Sequence, residues 1–319
     1  MRFFDLHIDT LEKALAPGVD LLAGTDAATV DLPRLEESGA YGAVWAACDS
    51  VHLAGAASAG YALRMIAAGR DLAARAGERI RLVRGAADLE DDAARPGGHR
   101  MILAVEGAHS LAGSLEMLAA FHALGVRLLT LTWNHANPFA SGCRTPARED
   151  HGVTPLGCEL LRRSAELGIV VDLAHASAAT FADALPRLHH PPLVSHTACA
   201  ALHPHPRNLT DEQLKAVARA GGVVGISFIP PFLAAEGASL ETVVAHVRHA
   251  VAVAGAEAVA LGSDFDGVPS LPAGISGVGD MPRLLAALEG AGLTGAELAG
   301  LAWRNAVRVL AAGLKGESG

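Results

Sequence analysis

Residues 167–177 read LGIVVDLAHAS. Gly168 closes a helix-like stretch, a short apolar run follows, and the run ends at an imidazole, His175. Short apolar runs bounded by turn signals mark buried strands of a parallel sheet. The layout returns in RFFDLHIDT (2–10), RMILAVEGAHS (100–110), PPLVSHTA (191–198) and AVALGSDFDG (258–267). These runs deliver His7, Asp9, Glu106, His196 and Asp264 to predicted strand ends. One acid or imidazole at one strand end is ordinary. Repeated at the same end of strands spread along the chain, the pattern predicts a metal centre at the mouth of a barrel.

Working outward, the candidate strands are Phe3–His7, Ala43–Cys48, Met101–Glu106, Leu128–Trp133, Ile169–His175, Leu193–His196, Val223–Phe228 and Val259–Asp264. Between them lie alanine-rich stretches with helical periodicity: 58–76, 114–124, 155–167, 210–220, 240–254 and 294–312. Thr210 with Gln213, and Thr294 with Glu297, have capping-box spacing, and Ser177 suits an N-cap. Strands alternating with helices predict an α/β fold, a closed (β/α)8 barrel of the TIM type. An open doubly wound sheet would carry a glycine-rich phosphate loop after an early strand, and none appears. The stretch 82–100, LVRGAADLEDDAARPGGHR, reads as surface loop. No linker divides the chain, so residues 1–319 are expected to form a single barrel domain.

Composition narrows the function classes. Hydrophobic residues make up 51% of the 319 residues, much of it alanine, and the mean hydropathy is +0.31. No run is long and apolar enough to suggest a transmembrane helix, so no membrane partner is expected. The chain opens on a strand-like segment without a basic stretch and apolar core, so no signal peptide is expected and a cytoplasmic location follows by default. The formal charge is −9 with acids and bases interspersed. Without a basic stripe, nucleic acid is not expected as a partner. Cys48, Cys143, Cys158 and Cys199 show no CxxC pairing and read as buried or half-buried free thiols.

The barrel gives the ligands a geometry. In such barrels the C-terminal strand ends ring one face, where catalytic residues gather. His7 and Asp9 stand two apart, and in extended chain both would point to one ion. Imidazole with carboxylate suits zinc and also accepts manganese, iron or cobalt. His7, Asp9, Glu106, His175 and His196 are more ligands than one catalytic zinc takes from protein. They fit two ions sharing a carboxylate and a water. Lysine occurs only at 13, 215 and 315, so no lysine stands at a predicted strand end to act as a bridge.

The segments DLHIDTL (5–11), LAVEGAHSL (103–111), LTLTWN (129–134), VVDLAHAS (170–177), VSHTACAALHPHPRNLTDEQL (194–214), GGVVGISF (221–228) and LGSDFDG (261–267), in this order, resemble the membrane (renal-type) dipeptidase family of zinc peptidases. The resemblance runs from about residue 4 to residue 310 and is closest to bacterial cytoplasmic-type members. It implies a barrel of the metal-dependent hydrolase kind with two zinc ions per chain. His7 and Asp9 would hold one ion and His175 and His196 the other, with Glu106 as the bridge. Asp264 would be the acid/base residue and Arg207 the grip on the substrate's terminal carboxylate, while Asn208 beside it reads as a turn residue.

The implied activity is hydrolysis of small dipeptides with a free C-terminal carboxylate, C-terminal D-residues included, and family members suggest a homodimer. The alternatives on this scaffold are an N-acyl amino acid deacylase, a lactonase, a cyclic-amide hydrolase or a metal-binding barrel without turnover. Two positions depart from the renal pattern. A histidine that helps hold the substrate carbonyl at the fourth strand is replaced by Trp133, followed by Asn134 and His135. Asn134 and His135 are the candidates for that hydrogen bond, and Trp133 for a pocket wall. A tyrosine after the seventh strand is replaced by Ile229, ahead of Pro230 and Pro231.

Overall fold

A computed structural model describes residues 1–49, 53, 55–90 and 98–314. The strands are β1 (Phe3–Ile8), β2 (Ala40–Cys48), β3 (Ile80–Leu82), β4 (His99–Glu106), β5 (Val126–Thr130), β6 (Val170–Asp172), β7 (Leu193–Thr197), β8 (Val223–Ile226) and β9 (Val259–Leu261). All pairings among them are parallel, in the order β2-β1-β9-β8-β7-β6-β5-β4-β3. A further pairing of β2 with β4 closes an eight-strand barrel and leaves β3 as an addition. β3 takes the edge of β4 at His99–Met101, and β5 takes over that edge from Leu103. This short strand falls between the helical stretch expected at 58–76 and the loop expected at 82–100, and takes the first residue of that loop. Its three residues carry no period long enough to read. Of the expected loop 82–100, residues 91–97 lie outside the described residues.

The helices follow their sequence signals. Pro155–Leu167 and Leu240–Ala254 have the expected bounds, and Gly168 closes the first in the left-handed conformation. Thr210/Gln213 and Thr294/Glu297 form capping boxes, and Ser177 Oγ accepts from Thr180 N. The 294–312 stretch is α-helical at Gly295–Ala299 and Asn305–Gly313, with a π-helical turn, Gly300–Arg304, between. Ala306, Val309 and Leu310 of its last part pack with Phe4, Val44, Ile102 and Leu193 of the strands. That apolar layer fills the barrel interior and confines polar chemistry to the opposite end. Cys158 is exposed rather than buried: it lies off the stripe of Gly157, Leu160, Leu161 and Ser164 that faces the barrel. Cys48 and Cys199 are buried and Cys143 is half-buried.

Candidate metal centre

β4 runs straight into the site. Ile102, Ala104 and Glu106 share the inner face, so the alternation that packs the barrel delivers the Glu106 carboxylate to its axis. The other ligands arrive by departures from regular strand. Register shifts fall between Asp5 and Ile8 on β1 and between Val194 and Thr197 on β7, around His7 and His196. Such irregularities re-aim a side chain. Room for the β7 distortion comes from glycine on two neighbouring strand ends. A Cβ at Gly225 or Gly262 would stand 1.9 or 1.8 Å from the Ser195 carbonyl oxygen.

The strands that carry His175 and Asp264 end three residues before them, at Asp172 and Leu261. Both residues adopt φ 63°, a left-handed conformation that non-glycine residues rarely hold outside functional sites. Asp9 is also beyond its strand, at φ −99° and ψ 19°, heading the short helix Thr10–Lys13. The extended-chain argument for His7 and Asp9 therefore does not apply, although the two side chains do meet.

These turns bring six side chains together. Glu106 Oε1 lies 2.9 Å from His175 Nε2, 3.4 Å from His196 Nε2 and 3.7 Å from His7 Nε2. His7 Nε2 is 3.4 Å from Asp9 Oδ1 and 3.7 Å from Asp264 Oδ1. Ligand atoms of His7, Glu106 and His196 all lie within 4.8 Å of one another, as do those of His7, Asp9 and Asp264. A third such group is Asp9, Cys48 and Glu106. Cys48 was missed as a neighbour because a cysteine ending an apolar strand reads as core.

The electrostatics fit a bound cation. His7 Nε2, Asp9 Oδ1 and Asp264 Oδ1 are buried without a hydrogen-bond partner among the described residues. Burial, aided by Asp9, pushes Glu106 up to about 7 against the pull of His7. Burial and the charge of Asp9 hold Asp264 well above the usual carboxylate range. Burial disfavours a charged His7, but Glu106, Asp9 and Asp264 outweigh it and raise His7 to about 10. His175 and His196 are held well below the ordinary histidine value, first by burial and then by nearby Arg207 and His7. They are neutral, as metal-binding imidazoles are. Carboxylates crowded without donors are what a divalent ion would relieve.

A second layer orients the candidate ligands. Asp172 accepts from Thr130 Oγ1 at 2.9 Å, Ser195 Oγ at 2.6 Å and Ser195 N at 2.8 Å. Ser195 Oγ is 2.8 Å from His196 Nδ1. Asp5 accepts from His7 N at 3.1 Å and from Ser263 N at 2.9 Å. Partners of this kind fix ring orientation and tautomer. Neither acid was singled out from the sequence; the available signal is an acid inside an apolar run. Asp266 is bound by Thr10 Oγ1 at 2.7 Å and Thr29 N at 2.7 Å, which makes it a tie between loops.

The substrate-side residues separate. Asn134 Oδ1 is 3.1 Å from His175 Nδ1, so it orients a ligand rather than facing open space. Trp133 is half-buried with its ring 6.0 Å from the His175 ring, and His135 is exposed. Arg207 is 4% exposed. Its Nη2 donates to the His196 carbonyl at 3.0 Å, its Nε has no acceptor among the described residues, and its guanidinium lies 5.2 Å from the centre of the Phe232 ring. Asn208 Nδ2 donates to the His203 and Phe232 carbonyls at 2.7 Å, tying the turn as expected. A cavity of about 600 Å³ opens beside His175 and Arg207, lined also by Cys143, Ala176 and Pro206.

Comparison with known proteins gives a consistent answer. Residues 1–315 match the model described as membrane dipeptidase (peptidase family M19). An uncharacterized dipeptidase of Schizosaccharomyces pombe is 37% identical over 211 residues, 65% of this chain and 52% of the relative, so the chain spans about half that relative's length. A solved dipeptidase of family M19 superposes with a TM-score of 0.90 at 28% identity, covering 98% of this chain and 99% of the other. A metallo peptidase from Rhodobacter sphaeroides, solved with a phosphinate mimic of the dipeptide L-Ala-D-Ala, superposes with a TM-score of 0.89 at 28% identity and the same coverage.

Proposed function

Since this chain belongs to the membrane dipeptidase family, peptidase family M19, we propose that it hydrolyses small dipeptides with a free C-terminal carboxylate, C-terminal D-residues included, at a binuclear zinc centre. A single barrel domain, 1–319, would carry the activity. The carrying observation is Arg207: a buried guanidinium whose Nε has no acceptor among the described residues, next to a cluster of six ligand-type side chains. A buried cation of this kind suits a carboxylate on the substrate. A lactone or cyclic amide without a carboxylate has no use for it. The ligand found in the Rhodobacter relative supports a D-residue at the second position.

His7 and Asp9 would hold one ion, His175 and His196 the other, and Glu106, at the centre of the cluster, would bridge them. Two divalent ions so held would polarise the scissile carbonyl and acidify a water. Arg207 fixes the substrate by its carboxylate. Asp264, whose carboxyl favours holding a proton, takes one from the attacking water and delivers it to the leaving amine. Asp172, through Ser195, keeps the His196 ring in place, and Asn134 does so for His175.

Zinc-loaded protein assayed against L-L and L-D dipeptides and their C-terminal amides tests the reading. Free acids should turn over, with amides slower by roughly 100-fold in kcat/KM, the scale of a lost charge-assisted contact. Absence of turnover on every dipeptide, with metal bound, overturns it.

A further inference from the structure

The buried head of Arg207 needs a support that does not compete with a substrate carboxylate. Its main chain is tied on both sides: Arg207 N donates to His205 Nδ1 at 3.2 Å, and its carbonyl accepts from Thr197 Oγ1 at 2.7 Å. The guanidinium carries five N–H donors in a rigid fork. Nη2 donates to the His196 carbonyl, and Nε has no acceptor among the described residues. A further contact is aromatic: the guanidinium carbon lies 5.2 Å from the centre of the Phe232 ring, inside the range of about 6 Å over which a ring face attracts a cation.

Phe232 is itself held in place. It lies in the short helix Pro230–Leu233 that follows β8 and is 8% exposed. Pro230 and Pro231 preset the backbone at the start of that helix. Asn208 Nδ2 donates to the Phe232 carbonyl at 2.7 Å, and the His205 ring lies 4.7 Å from the Phe232 ring at 33°. The stretches HPHPRN (203–208) and IPPF (229–232) are thereby one assembly, built from the loops after β7 and β8. A carboxylate beside Arg207 would occupy the fork and repel the substrate's own carboxylate. A ring face holds the charge and leaves the donors open. We infer that Phe232 is a positioning residue: its ring, held by Asn208 and His205, steadies the Arg207 guanidinium for the substrate carboxylate. The inference rests on the carboxylate reading of Arg207 given above.

The test measures one dipeptide and its C-terminal amide in zinc-loaded wild type, Phe232→Leu and Phe232→Tyr. Phe232→Leu keeps the site apolar and removes the ring. Its KM for the free acid should rise about fivefold, with kcat changed less than about twofold. The amide has no carboxylate to place, so its kcat/KM should change less than about twofold, and the preference for the acid falls about fivefold. Phe232→Tyr retains the ring face and should restore the wild-type preference. An unaltered acid preference in Phe232→Leu overturns the inference. So does a loss that strikes acid and amide alike, which is what a role confined to packing would give. Where Phe232→Leu folds poorly, the unbranched, adaptable Phe232→Met carries the same prediction. A wild type that does not prefer the free acid overturns the carboxylate reading of Arg207 and this inference together.

Discussion

At the scale of single residues, Asp264 combines three properties that follow from its position. It sits at φ 63°, three residues beyond the end of β9, and its Oδ1 lies 3.7 Å from His7 Nε2 without a hydrogen-bond partner among the described residues. The left-handed backbone costs about 1–3 kcal/mol, and it turns the carboxylate inward where a regular strand would not. Gly267 makes room for it: a Cβ there would stand 2.3 Å from Asp264 Oδ1 and 2.4 Å from Asp9 Oδ2. Asp264→Asn keeps the shape and removes the proton acceptor proposed above. Its kcat should fall by roughly 10²–10⁴-fold, the usual worth of a general base, while metal content stays at the wild-type level. A kcat near wild type would remove Asp264 from the chemistry.

At the scale of elements, the irregular strands hold more information than the regular ones. β7 has to bulge to bring in His196, and the bulge is accommodated by Gly225 and Gly262 on β8 and just beyond β9. Gly262→Ala would push a methyl group into the Ser195 backbone, which sits between Asp172 and His196. Overpacking of this kind should cost about 3 kcal/mol, or a fall in Tm of roughly 6 °C, with weakened metal retention. An alanine variant with wild-type Tm and metal content would show that the bulge is not held by this contact. This scale also marks how far the sequence could be read. Apolar runs ending on His7, Glu106, His175 and His196 were legible because ligand chemistry breaks a hydrophobic pattern. The ends of β6 and β9 were not: Leu173 and Ala174, like Gly262 and Ser263, continue the pattern although the chain has left the sheet. Asp5 and Asp172 were passed over because their partners, Ser263 and Ser195, come from neighbouring strands. Helices, by contrast, announce their ends locally, through Thr210, Thr294 and Gly168.

At the scale of the whole molecule, the two ends of the barrel respond differently to pH. At the closed end, His99 is buried with its Nε2 accepting from Trp45 Nε1 at 3.0 Å and its Nδ1 3.4 Å from the Ala40 carbonyl. Burial, with Arg100 nearby, pushes it down to about 4 although the Ala40 carbonyl favours its charge. Unfolded, it would take up a proton near pH 6.5. Between these values the unfolded chain binds a proton that the folded chain refuses, so stability is full above the upper one and falls as pH drops towards 4. The loss is on the order of 3 kcal/mol. Urea unfolding of wild type and His99→Gln at pH 7 and pH 4.5 isolates it: the stability difference between them should shrink in acid, and a constant difference would refute the assignment. The closure of the ring carries one more consequence, for the order in which the centre is built. β1 is held on one side by β2 and on the other by β9. His7 and Asp9 leave the ribosome first, yet their pocket is complete only when Asp264 arrives more than two hundred residues later. Closing so long a loop is a late and slow event in folding. The cluster is therefore assembled by the finished barrel, and a metal ion would be cargo that it loads rather than a nucleus around which it forms.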